Sequence, residues 1–202
     1  IFSYTGLTFI AISSFAILTN IDVVLVKHYL DPDSVGSYSA ISVLGRITFY
    51  APAGVAIAMF PKTSELFEAG GSHHLVVQKA MLYTLLLGGG VVLIYCLFPN
   101  FVVDFVFGSK YSMAASYLFK YGVAMLLFAF SFLLMNYFLS MNQTKVAYSL
   151  LAGMFLQLIL IAFFHSSIAQ IVNIMLICGV ACLILMFPFY FGARRRINPN
   201  CL

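Results

Sequence analysis

The sequence predicts an all-α membrane protein, a bundle of six transmembrane helices, and three observations predict it. Hydrophobic residues make up 63% of the chain, charged residues only 8%, and the mean hydropathy is +1.05, far from the balance of a soluble domain. Apolar runs long enough to cross about 30 Å of hydrocarbon, about 20 residues each, recur along the whole chain. The runs are continuous instead of alternating, which excludes a β-barrel, and lipid tolerates no unpaired backbone.

Pro, Gly and charge clusters punctuate the runs, giving helices near 3–26, 37–60, 77–98, 114–139, 146–164 and 169–191. A secretory signal would stand once at the front, so the recurrence excludes that reading. Ile1 is not an initiator Met and already lies in an apolar run, so the chain is expected to be a piece of a longer protein. The connections are "KHYLDPDSVG", "PKTSELFEAGGSHH", "PNFVVDFVFGSKYS", "SMNQTK" and "HSSIAQ", followed by the tail "ARRRINPN"; none has room for a domain. Lys27, Lys110 and Lys120 lie on one side, against Lys62, Lys79, Lys145, Arg194, Arg195 and Arg196 on the other. Three against six places both termini in the cytoplasm. The net charge of +4 is then a topology signal, with no nucleic acid implied.

The first span contains Asp22 and the second Arg46. At 1.5 Å per residue, Asp22 lies roughly 7 Å inside its helix end and Arg46 roughly 15 Å, near the midplane. Cβ vectors tilt toward each helix N-terminus, so the two side chains of antiparallel helices lean toward each other's depth. A lone charge at the bilayer centre costs about 3 kcal/mol on insertion scales, so a partner or a watery cavity is expected. Ser39, Ser42, Arg46 and Tyr50 share one helical face, and Thr8, Thr19 and Asp22 form a facing stripe through Ile12 and Phe15. Two readings stay open: a clasp that locks two helices, or a hydrophilic cavity contacted by substrate.

The remaining polar residues carry less. "GGG" at 88–90 has no phosphate-loop context and reads as close packing or a flexible point. Cys178 and Cys182 are one turn apart, which suits helix packing better than redox or metal chemistry. Asn136, Tyr137, Gln157 and Asn173 read as interhelical glue, His165 as interfacial, and His73 and His74 with Glu65 and Glu68 as a solvated face. No nucleophile and base share a pattern, so neither an enzyme nor a cofactor is indicated.

The stretch "NIDVVLVKHYLDPDSVGSYSAISVLGRITFYAPAGVAIAMFPKTSELF" resembles the seventh and eighth helices of bacterial polysaccharide flippases. "FVFGSKYSMAASYLFKYGVAMLLFAFSFLLMNYFLSMNQTKVAYS" is similar to the ninth-to-tenth loop and tenth helix of that family, within the multidrug, oligosaccharidyl-lipid and polysaccharide exporter superfamily. The resemblance implies one half of a twelve-helix transporter, here the C-terminal six-helix half, with the N-terminal half as its partner. It implies a lipid-linked oligosaccharide substrate turned across the bacterial cytoplasmic membrane, and an ion gradient as the drive. Arg46, with Asp22, Tyr50 and Ser42 around it, would meet the anionic pyrophosphate, because a guanidinium presents a planar fork of donors to phosphate oxygens. A multidrug or peptidoglycan-precursor exporter of the same superfamily, or a non-transporting membrane scaffold, are the competing expectations.

Overall fold

In the computed structural model, which describes residues 2–71 and 74–197, the described residues form helices and no strand. The helices are α1 (Phe2–Leu18), α2 (Ile21–Tyr29), α3 (Pro32–Glu68), α4 (His74–Leu97), α5 (Pro99–Phe107), a 3-10 turn (Ser109–Tyr111), α6 (Ser112–Ser140), α7 (Val146–Phe163) and α8 (Ile168–Ile197). Five helices are long and apolar enough to cross a membrane, six when the bent pair α1 and α2 counts as one span. His73 and the end of the basic tail, 198–202, lie outside the described residues.

The first span is not continuous over 3–26 as the sequence suggests; it breaks at Thr19–Asn20 with a bend of 42°. The cause is local. The Thr19 hydroxyl donates to the Phe15 carbonyl at 3.0 Å, and the Asn20 side-chain amide donates to Ala16 at 2.8 Å. The Asn20 backbone N–H turns to Ile17 instead, at 3.0 Å. A side chain thus takes over the carbonyl that the backbone leaves, which is how short polar residues end or bend helices.

The second span is longer than 37–60, running the whole of Pro32–Glu68. Its start is fixed by Pro32 in the first turn and by Asp31, whose carboxylate accepts the Ser34 N–H at 3.0 Å. Pro52 and Pro61 lie inside it without ending it. The third connection is also more ordered than a loop. Pro99 starts α5, which buries Val103 and leaves Phe101 and Phe105 stacked and exposed, 5.9 Å apart.

α6 is the axis of the bundle. It packs on α3, α4, α5 and α8, while α7 packs on α8 and α1. Small residues permit the close approaches, because helices in lipid associate through packing and not through expulsion of water. A Cβ on Gly45 would enter the Tyr121 ring, and one on Gly153 would enter the Cys182 sulfur. Cys178 and Cys182 are both fully buried, as packing residues are. Of the three glycines at 88–90, only Gly88 is confined: a Cβ there would enter Leu126 and lie 3.2 Å from the Thr48 carbonyl, which has no amide partner four residues on because Pro52 stands there.

One end of the bundle carries the α2–α3 junction, α5 and the α7–α8 connection, where Tyr29 stacks on His165 at 4.0 Å. The opposite end carries the turns at 69–70 and 141–145, where the Tyr4 hydroxyl donates to the Leu139 carbonyl at 3.2 Å. Because α1 leans on α7, a groove of about 570 Å3 remains between α1 and α3, floored by α6. Beyond the 42° bend α2 crosses to α3 and α8, and the groove ends at Thr19 and Asn20, where the bend begins.

Candidate functional site

Just past the bend, α2, α3 and α6 meet around Asp22. The carboxylate has no exposed surface, and its Oδ2 accepts the Tyr38 hydroxyl from α3 at 2.7 Å and the Tyr121 hydroxyl from α6 at 2.8 Å. The two rings meet edge to face, 5.8 Å between centroids. Three helices therefore share one acceptor atom. Oδ1 has no hydrogen bond; its nearest cation is Arg46, whose Nη2 stands 3.9 Å away.

Arg46 is held less tightly than its partner. Its Nη2 makes one long hydrogen bond, 3.5 Å, to the Thr19 carbonyl at the break, and its Nε has no partner among the described residues. A quarter of its side chain is exposed. A guanidinium carries five donors; besides the Thr19 carbonyl it meets the Tyr121 side chain, and its Nε stays unused among the described residues. It lies one turn from Phe49 and Tyr50, which form the head of the groove together with Thr19 and Asn20.

The predicted stripes separate in the structure. Thr8, Ile12, Phe15 and Thr19 all line the groove, and Tyr50 lines it from α3, 62% exposed. Asp22 turns away from that wall into the α3–α6 contact. Ser42 is buried and donates back to the Ser39 carbonyl at 3.0 Å, while Ser39 donates to Val35 at 2.7 Å. These two hydroxyls serve their own helix, so they add no polarity to the groove. Asn136 lines the wall but donates its amide to Phe132 at 2.8 Å. The surface is consequently more apolar than two polar stripes would make it, with Phe15, Phe49 and Phe132 packed at centroid distances of 5.3 to 5.8 Å.

Tyr38 and Tyr121 are the functional residues that sequence reasoning missed. Tyrosine is common in membrane helices, and periodicity does not reveal where a hydroxyl points. Two signals were present: Tyr38 stands four and seven residues before Ser42 and Gly45 on one helix face, and a glycine beside the intramembrane Arg46 marks a place where another helix inserts a large side chain. Gln157 bridges α7 and α8 by donating to the Met175 sulfur at 2.9 Å, and of the face read as solvated in the second connection Glu65 and Glu68 are exposed, Glu65 paired with Lys62 at 3.0 Å. Among the described residues no three His, Cys, Asp or Glu side chains converge as a metal site would require.

A curated protein of Methanocaldococcus jannaschii, the uncharacterized membrane protein MJ1068, is 27% identical to this chain over 118 residues, covering 57% of the chain and 23% of that protein. No family model matches, and neither does a solved structure. The chain thus spans less than a quarter of the length of the relative it resembles. The apolar helices and that relative together identify the chain as a membrane-embedded protein of several helices.

Proposed function

We propose that this chain is the C-terminal six-helix half of a flippase that moves an undecaprenyl-pyrophosphate-linked oligosaccharide across the bacterial cytoplasmic membrane, with both ends of the half in the cytoplasm. The observation that carries this reading is Arg46, a quarter-exposed guanidinium one helical turn from the groove-lining Phe49 and Tyr50, with one 3.5 Å hydrogen bond to the groove-lining Thr19 and an ion pair at 3.9 Å. A cation so underused inside a membrane is costly unless a ligand completes it. Pyrophosphate oxygens supply the acceptors that its fork lacks.

In this reading Asp22 positions and does not touch substrate. Tyr38 and Tyr121 hold the carboxylate, and the carboxylate holds the guanidinium one turn from the groove-lining Phe49 and Tyr50. Tyr50 and the phenylalanines of the wall present flat faces to the lipid-proximal part of the cargo. Ser42 steadies the helix beneath Arg46. The second half of the transporter would complete the cavity, and an ion gradient would drive the cycle.

Two observations favour other readings. The apolar wall suits the uncharged cargo of a multidrug exporter, and the two tyrosines on Asp22 suit a scaffold whose charges only lock helices. The test is surface polysaccharide per unit of membrane-inserted full-length protein. Losing a charge-assisted phosphate contact is worth about 2–3 kcal/mol, so Arg46→Ala should lower export roughly 30- to 160-fold at unchanged protein level. Arg46→Lys should recover part of it, since the charge remains and the fork does not. Normal export by a well-inserted Arg46→Ala protein refutes the substrate role, and parallel loss of protein and export leaves only the lock.

A further inference from the structure

A second groove lies on the other side of α3. It runs along the outer surface between α3 and α4, holds about 390 Å3, and its walls include Val55, Ala58, Ala80 and Tyr83 with Lys62 and Lys79. It shares no residue with the α1–α3 groove. Its lining is apolar apart from two lysines at one end, the chemistry of a lipid tail under a headgroup. The question is which kind of lipid.

The two lysines answer it. Lys62 precedes the α3 terminus Glu68 by six residues and Lys79 follows the α4 start His74 by five. At 1.5 Å per residue both Cα atoms lie within about 9 Å of the helix ends, and their long stems carry the ammonium groups to headgroup level. The helices are antiparallel neighbours, so both cations top one trough. Lys62 is partly offset by Glu65 at 3.0 Å, and Lys79 has no acidic partner among the described residues. Below them the small side chains of Ala58 and Ala80 leave the surface concave, and Tyr83, half-exposed, flanks the trough deeper in the span.

We propose that this groove binds an anionic phospholipid, its phosphate between Lys62 and Lys79 and one acyl chain along Ala58 and Ala80. The site is independent of the flippase reading and of which way the bundle faces, because it needs only the leaflet at the 69–70 end.

The test is native mass spectrometry of the purified full-length protein, equilibrated with phosphatidylglycerol or phosphatidylcholine of the same acyl composition. Each lysine near a membrane surface favours an anionic lipid by about fivefold. The wild-type protein should retain phosphatidylglycerol preferentially, and K62Q/K79Q should lower that retention by about tenfold or more with phosphatidylcholine unchanged. E65Q should raise it by releasing Lys62. A58W, which fills the trough and keeps both charges, should also lower it, whereas K27Q/K110Q at the opposite end should leave it intact. The proposal is overturned if K62Q/K79Q keeps its lipid preference, if K27Q/K110Q loses as much, if A58W retains the lipid, or if a second copy of the chain occupies the face in place of lipid.

Discussion

Gly45→Ala should cost this bundle more than any other single methyl group along α3. The new Cβ would lie 2.6 Å from Tyr121 Cε1 and closer still to Cδ1, with the ring fully buried and unable to swing aside. Overpacking of a buried ring costs about 1–3 kcal/mol. Displacing it also pulls the hydroxyl from Asp22, a hydrogen bond of 2.8 Å whose loss adds about 1–3 kcal/mol. A total of about 3 kcal/mol corresponds to roughly 6–12 °C in Tm for a chain of this size. The assay is thermal unfolding in detergent, with Gly54→Ala as control, since a Cβ there meets nothing within 4 Å and should gain up to about 1 kcal/mol of helix propensity. Tyr121→Phe removes the hydroxyl and keeps the ring, so the double variant Gly45→Ala/Tyr121→Phe should be less destabilised than the sum of the singles, because both break the same bond to Asp22. Strict additivity, or equal Tm for Gly45→Ala and Gly54→Ala, refutes the reasoning.

Two further outcomes follow from the packing and the groove. Gly153→Ala should destabilise by about 1–3 kcal/mol because its Cβ meets the Cys182 sulfur, and Cys182→Ala should rescue it; thermal unfolding of the pair and the singles decides, and lack of rescue means that α7 and α8 do not meet as described. Cysteine placed at position 50, in a background without the native thiols, should react with a membrane-impermeant maleimide far faster than cysteine at 42, since Tyr50 is 62% exposed in the groove and Ser42 is 3% exposed; equal rates would mean that the groove is not open to water.

The six apolar runs were legible because hydropathy integrates over a whole span, and so was the approach of Asp22 to Arg46, because helix geometry fixes depth. The bend at Thr19–Asn20 was not. It depends on two side chains each choosing a carbonyl three or four residues back, an event of local geometry inside an otherwise apolar window. α5 escaped notice because nine residues are too few to stand out from a connection containing Asp104. The stripe of Ser39, Ser42, Arg46 and Tyr50 does not form one polar wall, and of the four only Tyr50 lines the groove: serine hydroxyls in lipid turn to their own backbone, which periodicity does not register.

The Asp22 junction also sets a problem of biogenesis. Tyr38 is 16 residues downstream of the carboxylate and Tyr121 is 99. At synthesis rates of about 5–20 residues per second, the first hydroxyl follows within roughly 1–3 s and the second only after about 5–20 s. During that interval α1 and α2 leave the insertion machinery with an acidic group whose final neighbours are not yet made. The junction then forms only when α6 arrives, which makes the seating of the axial helix the step that brings the carboxylate under cover.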